Sequence, residues 1–166
     1  RWLLAGGALL ATGAAVYAWR NRPVRTQQTH PELESRLKVL NPLFAARVRT
    51  LMGRLERRGF DPMIWETGRG QDRAEELAAR GTGIEGSMHK YGLAVDIVSA
   101  SKLWGAPAPF WAALQEEAID LGLTSGAAFG DRDHVQALPT KYDATVRHAN
   151  AAQIAQLVRE TLTRTG

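Results

Sequence analysis

Four side chains in the second half of the chain have the types and spacing of a metal centre with a base beside it. His89 lies in the stretch GSMHKYGLAVDIV, and Asp96 lies inside the hydrophobic run of the same stretch. A carboxylate within a buried strand is costly unless an ion or a partner neutralises it. His134 follows in FGDRDHVQ, three residues after Asp131. We therefore interpret His89, Asp96 and His134 as metal ligands.

The spacing of the first two ligands requires a turn between them. Seven residues in extended conformation span about 23 Å, whereas each bond to zinc is only about 2.0–2.2 Å long. Gly92 is placed to allow the turn. Alternation along the following strand puts Ala94 and Asp96 on the same face, and the small Ala94 leaves room beside the carboxylate for an ion.

Asp131 is the candidate base. A turn between Asp131 and His134 would bring the carboxylate over the open position of the metal, where it could take a proton from water and pass it to a leaving amine. Two histidines, one aspartate and a water match the three-ligand plan of catalytic zinc. Asp133 is the rival base, although its adjacency to His134 is expected to point it elsewhere.

Composition limits the alternatives. The 166 residues are 45% hydrophobic and 23% charged, which is typical of one folded domain. Cysteine is absent, so a metal must be held by histidines and carboxylates. The other two histidines, His30 and His148, are expected at the surface.

The amino-terminal segment is predicted to be a hydrophobic helix. Residues 2–19 carry no charge and are flanked by Arg1 and Arg20, and 18 residues are at the lower limit for crossing a bilayer. We expect residues 1–20 to form a membrane anchor or signal-arrest helix, residues 21–34 a linker, and residues 35–166 the catalytic domain. A buried helix of the domain is the alternative for the first segment. The chain would then be membrane-anchored or released to the periplasm or cell envelope.

The chain is basic, with a net charge of +4 and a pI near 9.8. Much of the excess lies in arginine runs at 20–25 and 47–58. An acidic polymer such as cell wall, or an anionic membrane, suits this charge. No nucleic-acid partner is expected, because aromatic residues are not interleaved with the basic ones. A merely solvated basic face is the alternative.

Periodicity predicts helices and strands without regular alternation, which indicates an α+β fold. Helical patterns cover about 31–58, interrupted at Asn41-Pro42, and then 69–80, 109–123 and 144–162. Strands are predicted near 61–68, 93–98 and 134–138.

The two motifs together resemble those of the zinc D-alanyl-D-alanine carboxypeptidase and L-alanyl-D-glutamate endopeptidase family. This family includes vancomycin-resistance peptidases and many phage endolysins, and it shares its fold with hedgehog signalling domains. The resemblance covers about residues 41–140. It is carried by Ser87, His89, Gly92, Ala94 and Asp96 in the first motif and by Asp131 and His134 in the second.

The resemblance implies a small antiparallel sheet with packed helices, Zn²⁺ on the three ligands, and Asp131 as the base. It also implies that Arg69 contacts a substrate carboxylate or the transition state, which suits a guanidinium, and that Ser87 hydrogen-bonds the substrate. Departures from the family pattern include Ala74 in place of a glutamine and Asp133 in place of a proline. None of them removes a ligand.

The function implied is hydrolysis of the peptidoglycan stem peptide, first as an endolysin-like L-alanyl-D-glutamate endopeptidase. D-alanyl-D-alanine carboxypeptidase activity is the close alternative, and the sequence does not separate the two. A metal-containing cell-wall-binding module without turnover is a second class. A basic, membrane-tethered nucleic-acid-binding or structural protein is a third. Phage and bacterial origin both remain open.

Overall fold

A computed structural model of the chain describes residues 31–68 and 87–164. The predicted membrane segment, residues 21–30 of the predicted linker, and the predicted helix 69–80 with Arg69 lie outside these ranges. Within them, no helix combines the length and the apolar character needed to cross a bilayer.

The described residues form helices packed on a small antiparallel sheet, as predicted. The helices are α1 (Pro31–Leu37), α2 (Pro42–Arg57), α3 (Ala108–Asp120), α4 (Asp143–His148) and α5 (Ala151–Thr163). The strands are β1 (Pro62–Glu66), β2 (Ala94–Ser99), β3 (Thr124–Ser125) and β4 (His134–Gln136). Short 3₁₀ helices cover Met88–Tyr91, Gly126–Phe129 and Thr140–Tyr142.

The sheet has the strand order β1-β2-β4-β3, and all its neighbours pair antiparallel. In the β2–β4 pair, Asp96 lies directly opposite His134 and Ala94 opposite Gln136. In the β1–β2 pair the register shifts between Ile64 and Glu66, so that β1 bulges at Trp65. Residues on one face of β2 and β4 therefore lie side by side.

Helix α2 provides much of the core. Asn41 precedes it and its side chain accepts a hydrogen bond from the N–H of Leu43 at 3.1 Å, so Asn41-Pro42 opens the helix as predicted. The stripe that faces inward is fully buried and consists of Phe44, Val48, Leu51 and Leu55. Helix α2 packs against α3, α5 and β1. Gly59, at φ +86°, follows its end.

The second arginine run stabilises the fold instead of forming an open cationic face. Arg54 pairs with Glu117 and Asp120 of α3, and Arg58 pairs with Glu116 and Glu117. Three further contacts tie this run to α1, to the end of α3 and to α5: Arg49 to Glu34, and Arg47 to the carbonyls of Leu121 and Leu162. Much of the predicted basic surface is therefore engaged within the domain.

The single helix predicted for 144–162 is two helices in the structure. Asn150 begins α5 with a capping box: its side chain accepts from the N–H of Gln153 at 3.0 Å, and the Gln153 side chain accepts from the N–H of Asn150 at 2.8 Å. This reciprocal pair satisfies N–H groups that a new helix leaves without partners. The local cap thus overrides the continuous helical pattern.

Candidate metal centre

The three predicted ligands meet in one cluster. His89 Nε2 lies 3.2 Å from Asp96 Oδ1 and 3.3 Å from His134 Nδ1, and His134 Nδ1 lies 3.3 Å from the same Asp96 oxygen. Both histidines are buried and Asp96 is nearly so. The ligands come from a 3₁₀ helix and two adjacent strands. The structure therefore brings together residues that are up to 45 positions apart.

Gly92 makes the turn between His89 and Asp96, as predicted. It ends the 3₁₀ helix that carries His89 and has φ +64°, a conformation that glycine adopts without strain. A Cβ atom here would lie 2.7 Å from the carbonyl oxygen of Val39. The Gly92 carbonyl also accepts from the N–H of Asn41 at 2.9 Å. The turn is thus locked against the loop between α1 and α2.

The outer nitrogens of both histidines face acceptors, which determines their tautomers. His134 Nε2 lies 3.0 Å from Gln136 Oε1, and Gln136 Nε2 in turn donates to the Leu138 carbonyl at 2.7 Å, so the Gln136 oxygen must accept. His89 Nδ1 lies 3.4 Å from the carbonyl oxygen of Thr67, which can only accept. In the neutral rings, the remaining lone pairs therefore point at each other and at Asp96.

Three converging acceptors can hold a cation between them, and their spacing suits zinc. A tetrahedral ion with bonds of about 2.0–2.1 Å holds its ligand atoms about 3.3–3.4 Å apart. The three distances in this cluster are 3.2, 3.3 and 3.3 Å. Imidazole and carboxylate donors are those that zinc accepts, and outer hydrogen bonds to Gln136 and Thr67 are of the kind that orient metal-binding histidines. The residues fit a metal ion.

The pKa shifts of the cluster residues also favour a cation between the ligands. Burial raises the pKa of Asp96, but hydrogen bonds with His134 and His89 outweigh it and hold that pKa well below its usual range. Burial lowers the pKa of His134, yet hydrogen bonds to Asp96 and Gln136 raise it overall. Asp96 is therefore ionised, and its negative charge favours a positive charge between the two histidines.

The candidate base Asp131 lies in the turn before β4. Its carbonyl accepts from the N–H of His134 at 3.2 Å, so the predicted turn is present. The residue lies at the surface, with its carboxyl group partly buried in the turn. Partial burial raises its pKa, and a hydrogen bond with the Asp133 carboxyl and the charge of Asp96 raise it further, against the influence of His134. An aspartate with a raised pKa beside a metal cluster is suited to exchange protons.

The loop that carries Asp131 depends on Gly126. A Cβ atom at this position would lie 2.2 Å from the Asp131 carbonyl oxygen and 2.8 Å from the Cβ of His134. The Gly126 carbonyl also accepts from the N–H of Asp131 at 3.0 Å. Close packing under the turn therefore leaves no room for a side chain.

Asp133, the rival base, is hydrogen-bonded to a tryptophan of the loop after β2. Its Oδ2 accepts from the indole N–H of Trp104 at 2.7 Å. Arg132 donates to the Trp104 carbonyl at 2.7 Å and lies 4.5 Å from the centre of the Trp111 ring. The loop after β2 is thereby tied to the loop before β4, next to the cluster.

Of the two predicted substrate-binding residues, the structure describes Ser87 but not Arg69. Ser87 precedes the 3₁₀ helix of His89, is half-buried, and does not cap that helix with its side chain. Arg69 lies outside the described residues. Gln136 and Thr67 were not among the sequence candidates; only the two-residue spacing of Gln136 from His134, on the same strand face, could have indicated it.

A comparison with solved structures supports the fold. The structure is similar to that of Serratia marcescens L-Ala D-Glu endopeptidase ChiX, with a TM-score of 0.50 and 21% sequence identity over 69% of this chain and 92% of that one. No protein-family model matches the sequence, and no curated protein does. At this identity the likeness establishes the shared α+β fold.

Proposed function

We propose that this chain is a zinc-dependent peptidoglycan hydrolase that cuts the stem peptide, with the bond between L-Ala and D-Glu as the first choice. The observation that carries the proposal is the convergence of three lone-pair donors at zinc spacing. It is supported by the fold shared with a structure named as an L-Ala D-Glu endopeptidase. The sequence resemblance to the same class of peptidases supports the substrate.

Each residue then has a chemical task. His89, Asp96 and His134 would hold the ion, which when bound polarises the scissile carbonyl and lowers the pKa of a water. Asp131 would accept the proton of the attacking water and deliver it to the leaving amine, because its raised pKa suits both steps. We assign Arg69 to a substrate carboxylate and Ser87 to a substrate hydrogen bond, both from the family resemblance.

The test uses the full chain, loaded with zinc or stripped by a chelator, on purified peptidoglycan, with the products identified by mass spectrometry. We expect zinc-dependent release of peptides with a new amino terminus on D-Glu. Released D-Ala would assign the carboxypeptidase alternative instead. A folded chain that binds zinc and forms neither product would contradict the proposal and favour the cell-wall-binding module.

A further inference from the structure

Two tryptophans form an exposed corner beside the metal cluster. Trp65 is 44% exposed and Trp104 is 41% exposed. Their rings meet edge to face, with centroids 4.8 Å apart and an angle of 71° between the planes. We call this pair the tryptophan corner. Large aromatic side chains exposed as a pair are typical of a binding surface.

The corner is continuous with the candidate site on both sides. Trp65 lies at the bulge where β1 turns out of register, and the next residue, Glu66, pairs with Asp96. Adjacent strands are about 4.8 Å apart. The indole N–H of Trp104 donates a hydrogen bond to the carboxylate of Asp133, the residue before His134. The tryptophan corner therefore adjoins residues that neighbour the metal cluster on β1 and on the turn before β4.

The structure holds the corner in place before any ligand binds. Asp61 accepts from the Ser99 hydroxyl at 2.8 Å and from the Ser101 N–H at 2.9 Å, which anchors the start of the loop. Leu103, just before Trp104, has φ +49°, a conformation that is strained for leucine. Strained backbone beside a site is found where the surroundings impose a geometry. A preformed surface loses less entropy on binding.

We propose that the tryptophan corner binds the N-acetylmuramyl sugar to which the stem peptide is attached. This rests on the proposed function. In peptidoglycan the L-Ala is joined to the sugar through a lactyl group, so the ring begins about two residue lengths, roughly 7 Å, from the bond between L-Ala and D-Glu. The apolar C–H faces of a pyranose pack on flat aromatic rings. Asp133 and Arg132, beside the rings, can meet its polar rim.

Binding is measured first, because it does not depend on turnover. Glycan strands freed of peptide are titrated into the full chain, and the indole N–H resonances and tryptophan fluorescence are followed. We expect saturable changes that include the Trp104 indole, with affinity reduced about tenfold or more in Trp65→Ala. Ile119→Ala is the matched control, since Ile119 is 58% exposed on α3. Absence of saturable binding to the wild type would overturn the proposal, whether or not the chain is an active peptidase.

Cleavage gives the second readout. Two substrates with the same peptide are compared, one carrying N-acetylmuramic acid on L-Ala and one lacking the sugar. We expect the wild type to favour the sugar-bearing substrate in kcat/KM about tenfold, and Trp65→Ala to lose most of this preference. An equal preference in wild type and Trp65→Ala would overturn the assignment. So would a dimer that Trp65→Ala abolishes, because the corner would then belong to a second copy of the chain.

Discussion

The metal cluster and the acidic turn beside it, Asp131 to Asp133, are built in different ways. The cluster is buried and each of its histidines is held by a second acceptor, Gln136 or the Thr67 carbonyl. The acidic turn is a more exposed loop, held by Gly126 and by the Trp104 indole. Strand register determines the ligand geometry, whereas loop packing determines the position of the base. Metal binding and turnover should therefore separate on mutation.

The largest effect is expected from Asp96→Asn. The amide keeps the shape of the side chain but removes the charge that neutralises the cation. We expect zinc affinity to fall by more than the roughly 10–100-fold effect of outer-shell changes, as measured by competition with a chelating dye. Asp120→Asn on α3 is the control. It also replaces a carboxylate by an amide, but Asp120 pairs with Arg54 and does not belong to the metal cluster. Unchanged affinity in Asp96→Asn would remove Asp96 from the metal site.

Asp131→Asn should break turnover and leave metal binding intact. Removing a general base typically costs about 10²–10⁴-fold in rate, so we expect kcat to fall within that range while zinc affinity stays at the wild-type value. Asp133→Asn is measured in parallel. A larger loss of kcat in Asp133→Asn than in Asp131→Asn would exchange their roles, and a loss of zinc affinity in Asp131→Asn would make Asp131 a ligand.

Gln136→Leu tests whether the outer hydrogen bond orients His134. Leucine removes the acceptor of the Nε2–H, so the ring can rotate or change tautomer. We expect zinc affinity to fall about 10–100-fold. Gln136→Glu keeps an acceptor and should lose less, while equal losses in both variants would indicate general damage to the core. Thermal unfolding of the metal-free variants checks for that damage.

The smallest effect is expected in pH dependence. The stability of the metal-free chain and the stabilisation by bound zinc should change with pH in opposite directions. The folded pKa of His134 is raised, so its contribution to the stability of the metal-free chain is complete below the unfolded pKa of about 6.5 and is lost as pH rises through the folded pKa. Zinc must displace that proton, so its affinity should rise with pH, by about tenfold per unit below the His134 pKa.

Unfolding curves of both forms between about pH 6 and 9 measure this difference. We expect the metal-free midpoint to fall with pH while the stabilisation by zinc increases. His148→Gln, which changes an exposed histidine on α4, should leave both trends unchanged. Parallel trends in the two forms would contradict the placement of His134 in the cluster.

Local sequence signals determined much of this protein. The Asn41-Pro42 start of α2, the end near Gly59 and the turn at Gly92 follow from the conformational limits of single residues, and the structure has all three. His89, Asp96 and His134 were indicated by donor type and by the cost of a buried carboxylate. These features depend on neighbours along the chain, which a sequence displays directly.

Contacts between distant segments were decided only by the tertiary structure. The arginines of α2 looked like a basic surface, but their partners lie on α1, α3 and α5. The predicted last helix divides because Asn150 and Gln153 cap each other. Gln136 behind His134 and the tryptophan corner depend on strand register and on a loop crossing from β2 to β4. Such pairings join residues far apart in sequence, and no local spacing encodes which of them meet.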